Sequence, residues 1–247
     1  MKTKLISGFF ILAVFFSLSL KAQRISGDNP KNVIKINVFA LGLSNFSFQY
    51  ERVLGQKYAV ALGFSMMPSR NLPTLLSDLD SSKTLSKLKI SDWSITPEFR
   101  WYPGTKQGAP HGFYLAPYLR YSNTDLTLPY EYTLSGMGSR TDNIEGNYTG
   151  FGGGLMMGAQ WLIKQKFSID WWILGGHYGS GSSSVSIAAD YTSLSATQRA
   201  ELKAKLDKTE LPVGKINSSI TDTGAKINID KLPYFGLRGG LTIGYAF

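Results

Sequence analysis

Seven ionisable side chains recur at positions of one parity along the chain: Lys35, Glu51, Glu98, Arg100, Arg120, Asp170 and Arg238. Four cations and three carboxylates brought close together permit a proton relay, an ion path or a catalytic acid–base cluster. They also permit no chemistry at all, only a mutually paired network, because buried charges need partners. That structural reading is the expectation. The chain has two histidines, His111 and His177. His177 precedes Tyr178-Gly179-Ser180, and a hydrolase would recruit Ser180 or Ser182 as nucleophile and Asp190 to orient the imidazole. Nucleophilic catalysis needs base and nucleophile within hydrogen-bond reach, and this spacing matches no known motif. The expectation is no catalytic residue and no enzyme.

Other chemistries lack their residues. With no cysteine, disulfides, thiolate metal sites, cysteine nucleophiles and a lipoprotein anchor are excluded. No spacing suits a metal, and no cofactor is called for. The Gly-rich run 150–158 is not a nucleotide loop, because Leu155 breaks the dinucleotide fingerprint after Gly150 and Gly152. Its even-numbered glycines suit an interior where volume is scarce.

The elements that must position these residues are eight segments of strict alternation. Ile34, Ile36 and Val38 oppose Lys35 and Asn37; Phe46, Phe48 and Tyr50 oppose Ser47, Gln49 and Glu51. The pattern continues through segments starting at Tyr58, Trp93, Phe113, Gly150 and Phe167, and it ends with Phe235, Leu237, Leu241, Ile243, Tyr245 and Phe247. Period two means strands, and eight of them mean a sandwich or barrel. One face is bulky and apolar. The other is mainly Gly, Ala, Ser, Gln and Tyr, with Lys35 its only lysine. A water-facing surface would carry many Lys and Glu, whereas the inside of an eight-stranded barrel has room only for side chains. The expected fold is an all-β, eight-stranded antiparallel transmembrane β-barrel, with bulky residues toward lipid.

Loop lengths agree. Turns near 54–57, 103–111 and 164–166 are short; loops 68–91, 123–147 and 180–232 are long, with a short hairpin at Gly42–Ser44 as the exception. Outer-membrane barrels have short periplasmic turns and long extracellular loops, which puts both termini on the periplasmic side. Tyr50, Tyr58, Trp101, Phe113, Trp161 and Phe167 flank the short turns as an aromatic girdle. Leu241, Ile243, Tyr245 and Phe247 at two-residue steps form a barrel-assembly signal. Ser195 and Gln198 make a capping box for a helix over 196–208 in the last loop. The stretches Val185-Ser186-Ile187 and Ile227-Asn228-Ile229 alternate, so the last two strands are expected to extend as a ribbon. Pro97 and Pro117 each remove a ladder donor; both lie ten residues from Gln107, which predicts that they face each other across a bulge. Phe39 has the wrong parity for the lipid face, which a bulge or the barrel rim would explain.

Lys2 and Lys4 followed by the apolar run Leu5–Leu20 have the layout of a secretory signal peptide, too short to span a bilayer. The expected division is a signal peptide over 1–22 and a barrel over 23–247. Removing Lys2, Lys4 and Lys21 lowers the net charge from +9 to +6. The remaining cations are scattered, so nucleic acid is excluded as a partner.

The segments Tyr50-Glu51-Arg52, Pro97-Glu98-Phe99-Arg100-Trp101-Tyr102 and Gly112-Phe113-Tyr114-Leu115-Ala116-Pro117-Tyr118 resemble a family of Bacteroidetes-type outer-membrane barrels of unknown function. The resemblance covers most of the mature chain. It implies an eight-stranded barrel of the OmpA/OmpX type and no established activity. The expected partners are outer-membrane lipid and lipopolysaccharide, the barrel-assembly machinery and an extracellular ligand or protein, with the protein itself a monomer. The expected role is a non-enzymatic surface barrel with a charge-plugged lumen; the alternatives are a lipid A-modifying hydrolase using His177 and a narrow pore.

Overall fold

Alternation becomes strands where it is strict and also continues beyond those stretches. The structure is a computed structural model that describes residues 30–71, 87–104, 108–134, 138–188, 192, 195–207 and 215–247. The leader expected over 1–22 lies outside the described residues. In chain order the elements are β1 (Asn32–Asn37), α1 (Val38–Gly42), β2 (Phe46–Val53), β3 (Tyr58–Asn71), β4 (Lys89–Trp101) and β5 (Gly112–Leu134). They continue with β6 (Gly138–Ile163), β7 (Phe167–Ala188), α2 (Ala196–Asp207), β8 (Lys215–Thr221) and β9 (Gly224–Ala246). Hydrogen-bonded neighbours run β1-β2-β3-β4-β5-β6-β7-β9-β8, and β1 also pairs with β9. Eight strands therefore close an antiparallel ring, and β8 hangs from β9 outside it. Closure leaves the ring with no free edge.

The two faces sort as the parity requires. Glu51, Arg100, Gln160 and Asp170 have no exposed surface, while Leu62, Phe64, Phe151, Leu155, Trp161, Leu241 and Ile243 stand exposed on the outside. Small residues on the inner face make room for large ones: a Cβ at Gly158 would lie 2.4 Å from the Tyr114 hydroxyl, and one at Gly150 would lie 2.2 Å from the Tyr234 ring. One end of the ring is sealed by its turns. Tyr102 N–H donates to Lys57 O at 2.8 Å, Ala109 N–H donates to Gln56 O at 2.7 Å, and Phe247 and Asn32 exchange backbone bonds at 2.8 and 2.9 Å. Phe167 and Tyr245 pack edge to face at this end, within the expected aromatic girdle.

Three expectations are corrected. Loops 123–147 and 180–232 are largely not loops. β5 and β6 pair from Gly112–Gln160 out to Leu134–Gly138, and β7 pairs with β9 out to Ala188–Gly224, with β8 added as a third strand. Outward of the ring these strands are rich in Ser, Thr, Asn and Gly, so amide and hydroxyl ladders replace the apolar alternation. Asn123 donates to Thr149 Oγ1 at 3.0 Å, and Asn147 donates to Asp125 Oδ1 at 2.6 Å. The 68–91 segment also shortens, with β3 reaching Asn71 and β4 starting at Lys89.

The second correction is at the prolines. Trp101 pairs with Leu115 and Glu98 with Tyr118, so Pro97 and Pro117 are offset rather than opposite, and the β4–β5 register runs through them without a shift. Pro97 stays paired with Leu62 of β3 and Pro117 with Leu155 of β6. The missing donors therefore both fall on the β4–β5 seam. Third, of the two explanations for Phe39 the bulge is not formed, and Phe39 lies at the barrel rim, just beyond the end of β1. Asn37 Oδ1 accepts from Ala40 N–H at 3.0 Å and starts the helical turn α1, which carries Phe39 outward. A bulge not expected from the sequence lies in β7, between Trp172 and Gly175. Trp172 points in, Ile173 and Leu174 both point out, and the inward parity changes from even to odd. The helix expected over 196–208 forms at Ala196–Asp207, where Ser195 N–H donates to Gln198 Oε1 at 2.9 Å and Gln198 N–H donates to Ser195 Oγ at 3.3 Å.

Candidate functional site

Closing the ring brings inward residues from six strands to one level of the lumen. Lys35 enters from β1, Gln49 and Glu51 from β2, Glu98 and Arg100 from β4, Gln160 from β6, Asp170 from β7 and Arg238 from β9. The Lys35 ammonium donates to Glu51, to Asp170 Oδ2 at 2.7 Å and to Gln160 Oε1 at 2.8 Å. All three of its donors are used. The Arg100 guanidinium donates to Asp170 Oδ2 at 2.8 Å, Gln49 Oε1 at 2.8 Å, Glu98 Oε2 at 3.0 and 3.1 Å, Gln160 Oε1 at 3.1 Å and Glu51 Oε2 at 3.3 Å. Its plane lies over the Tyr114 ring, 4.4 Å from the centroid. Arg238 completes the set by pairing with Glu98 and stacking on Trp172 at 4.2 Å.

Three carboxylates thus meet three cations, and neutral donors take up what oxygen capacity remains. Tyr102 OH donates to Glu51 Oε1 at 2.7 Å, Tyr114 OH donates to Asp170 Oδ1 at 2.8 Å, and Trp172 Nε1 donates to Asp170 Oδ2 at 3.2 Å. Gln160 Nε2 donates to Ser168 Oγ at 3.0 Å. Removing eight charged or amide side chains from water is costly, and dense mutual partnering offsets that cost, with Gln49 Nε2 left without a partner. Tyr102, Tyr114, Gln49, Gln160 and Trp172 were not singled out as site residues from sequence. The available signal was parity, since each lies on the same face as the charges.

Six of the seven expected lumen charges join this cluster. Arg120 does not. It faces the lumen one level higher, where it donates to Thr96 Oγ1 at 3.2 Å, with no carboxylate against it among the described residues. His177 occupies the same upper level: its Nδ1 is 3.2 Å from the Tyr118 hydroxyl, and its ring lies 4.8 Å from that of Tyr234. Ser180 and Ser182 are exposed on the outer side of β7, because the bulge places His177 inward and the serines outward. The His177–serine convergence considered for a hydrolase is therefore not formed, and Asp190 lies outside the described residues. His111 sits in the turn between β4 and β5, where burial lowers its pKa below the usual imidazole value.

In cross-section the lower lumen is filled. Glu51, Arg100, Tyr102, Tyr114, Gln160 and Asp170 have no solvent-exposed surface. Every charge there is held by at least two elements of the ring, so the cluster ties β1, β2, β4, β7 and β9 together across the barrel axis.

Among solved structures, the chain is similar to the N-terminal β-barrel domain of Pseudomonas aeruginosa OprF, with 12% identity over 89% of this chain and 100% of that one, and a TM-score of 0.29. No curated protein matches. The family described as "Protein of unknown function (DUF3575)" matches over residues 8–206. With most of its length covered by that match, the chain belongs to the DUF3575 family.

Proposed function

We propose that the protein is a bacterial outer-membrane β-barrel of the small OmpA/OmpX type, non-enzymatic, with a lumen closed by paired charges and a role in surface structure and binding. The observation that supports this most is the inverted polarity of the ring. Its interior is ionic and buried, and its exterior is an apolar belt left exposed. A contiguous apolar surface of this size has to be covered, and bilayer lipid covers a ring on all sides. On β6 the belt runs from Phe151 to Ile163, about 40 Å of extended chain. At the ~45° tilt of membrane strands it stands about 29 Å tall, the thickness of a hydrocarbon core. The belt ends where Tyr121 and Phe151 give way to Asn123 and Thr149 on the same strands.

In this reading the sealed turn end and both termini face the periplasm, and the β5–β6 and β7–β8–β9 ribbons reach outside. Leu241, Ile243, Tyr245 and Phe247 serve as the signal for barrel-assembly machinery. Lipid and lipopolysaccharide surround a monomer, and the ribbons meet a ligand or protein partner. The test is reconstitution of the full chain into vesicles, read by heat-modifiable gel mobility and single-channel conductance. A folded, heat-modifiable protein that inserts with no steady conductance is expected. An open channel would overturn the closed lumen, and failure to insert would overturn the membrane assignment.

A further inference from the structure

We propose that the outer wall of β6, β7 and β9 binds one anionic phospholipid, with an acyl chain lying in a glycine-floored groove and the phosphate against Lys231. The proposal rests on the membrane reading above and names the lipid and its seat. The groove has a volume of about 720 Å³ and is lined by Phe151, Gly153, Tyr178, Ser180, Lys231 and Pro233, among others. It exists because glycines replace side chains at outward positions. Gly153 pairs with Tyr178, which pairs with Phe235; Gly176 lies between Leu155 and Leu237. The large neighbours are left standing clear of the wall: Tyr178 is 71% exposed, Phe235 73% and Leu237 84%, whereas the other exposed large apolar residues of the ring strands lie between 37% and 56%. A channel between standing rings suits a flexible chain better than it suits a flat protein face.

The head of the groove is polar and cationic. β9 bulges between its pairings with Gly181 and Ser183, and Lys231 in that bulge has a φ of 61°. Glycine adopts that left-handed conformation without strain and lysine does not. Ser180 and Ser182, both exposed, stand beside it, with Lys231 and Asp230 also lining the groove's continuation. Asp230 lies opposite Lys215 in the β8–β9 ladder, and no ion pair engages Lys231 among the described residues. This cation sits at the upper edge of the apolar belt, where Phe151 and Pro233 give way to Thr149 and Ser182. One ammonium with two hydroxyls above one channel matches one phosphate and one chain. Lipid A, with its two phosphates, would call for more cations.

The experiment reconstitutes the full chain in phosphatidylcholine vesicles containing phosphatidylglycerol, extracts it gently and counts bound lipids by native mass spectrometry. Lys231→Gly removes the cation and keeps the backbone conformation, and Lys231→Arg keeps the cation. Gly153→Leu fills the floor, where an added Cβ meets only Leu119 Cδ2 at 3.6 Å and Tyr118 O at 3.8 Å. The wild type and Lys231→Arg should each retain one phosphatidylglycerol. Lys231→Gly should lose up to about fivefold of it, the scale of one exposed charge contact, and Gly153→Leu should also lose it, with heat-modifiable mobility unchanged in both. Equal retention in all four proteins, equal retention of phosphatidylcholine, preference for added lipid A, or a lipid-free dimer on this face would each overturn the proposal. Insertion without lipid preference refutes this site alone; failure to insert refutes the membrane reading with it.

Discussion

The lower and upper levels of the lumen use the same residue types to opposite effect. Below, Lys35, Arg100 and Arg238 face Glu51, Glu98 and Asp170 with all charges neutralised and most of the groups fully buried. Above, Arg120 has only a threonine hydroxyl, and the buried rings of Tyr118 and Tyr234 pack on a half-buried His177 with single hydrogen bonds. The lower level is a coupled unit in which removing one member strands its partners. The upper level is a set of singly hydrogen-bonded contacts with no ion pair among the described residues, where a loss is absorbed locally. A shared lumen therefore does not mean a shared energetic role.

The strongest way to break this contrast is Asp170→Ala, which leaves Lys35 and Arg100 buried without their common carboxylate. We expect a loss of about 3–5 kcal/mol in urea unfolding of the vesicle-inserted barrel. A loss below about 1 kcal/mol would make the lower network no more coupled than a surface pair. Next in size is Gln160→Leu. Lys35 and Arg100 both donate to Gln160 Oε1, and the stranded donors should cost about 1–3 kcal/mol in the same assay. In the upper level, Arg120→Ala should change stability by less than about 1 kcal/mol, because no ion pair is lost; a larger cost would show that the two levels are coupled after all.

The smallest effect lies outside the ring, where α2 is clasped to β8. Asp207 accepts from Lys203 and, at 2.7 Å each, from the Ser218 N–H and hydroxyl, and these bonds hold its pKa down at about 2 from 3.8. A depressed carboxylate contributes above its unfolded pKa and loses that contribution as pH falls through the folded one. Protection of the Ser218 amide from hydrogen exchange should therefore be steady above about pH 4 and fall toward pH 2. Asp207→Asn should abolish that dependence and leave the barrel's heat-modifiable mobility intact.

Much of this was legible because a ring strand has only two faces. Each of Lys35, Glu51, Glu98, Arg100, Arg120, Asp170 and Arg238 could be assigned to the lumen from its neighbours' sizes alone. Their partners could not, since Lys35 meets Asp170 only through ring closure between β1 and β9 and the β7–β9 register. The bulge at Ile173–Leu174 leaves no mark in composition, and it decides whether His177 or Ser180 faces inward. The β7–β9 ribbon was legible in the alternation at 185–187 and 227–229, whereas the β5–β6 ribbon was hidden for a different reason. Asn, Ser and Thr paired across β5 and β6 read as loop because their alternation carries no hydrophobic signal, although the backbone ladder runs on. Pro97 and Pro117 looked like obstacles, but their outward placement puts both missing donors on one seam, where an unshifted register tolerates them.

The central claim is that bulky residues meet acyl chains while the opposite parity is shut inside. Trp171 and Trp172 are adjacent, and they are 50% and 3% exposed. Two proteins that keep only one of these tryptophans, inserted into bilayers with brominated acyl chains, test the claim with a single fluorescence reading. Strong quenching of Trp171 and little of Trp172 is the predicted result; equal quenching, or the reverse order, would contradict the account.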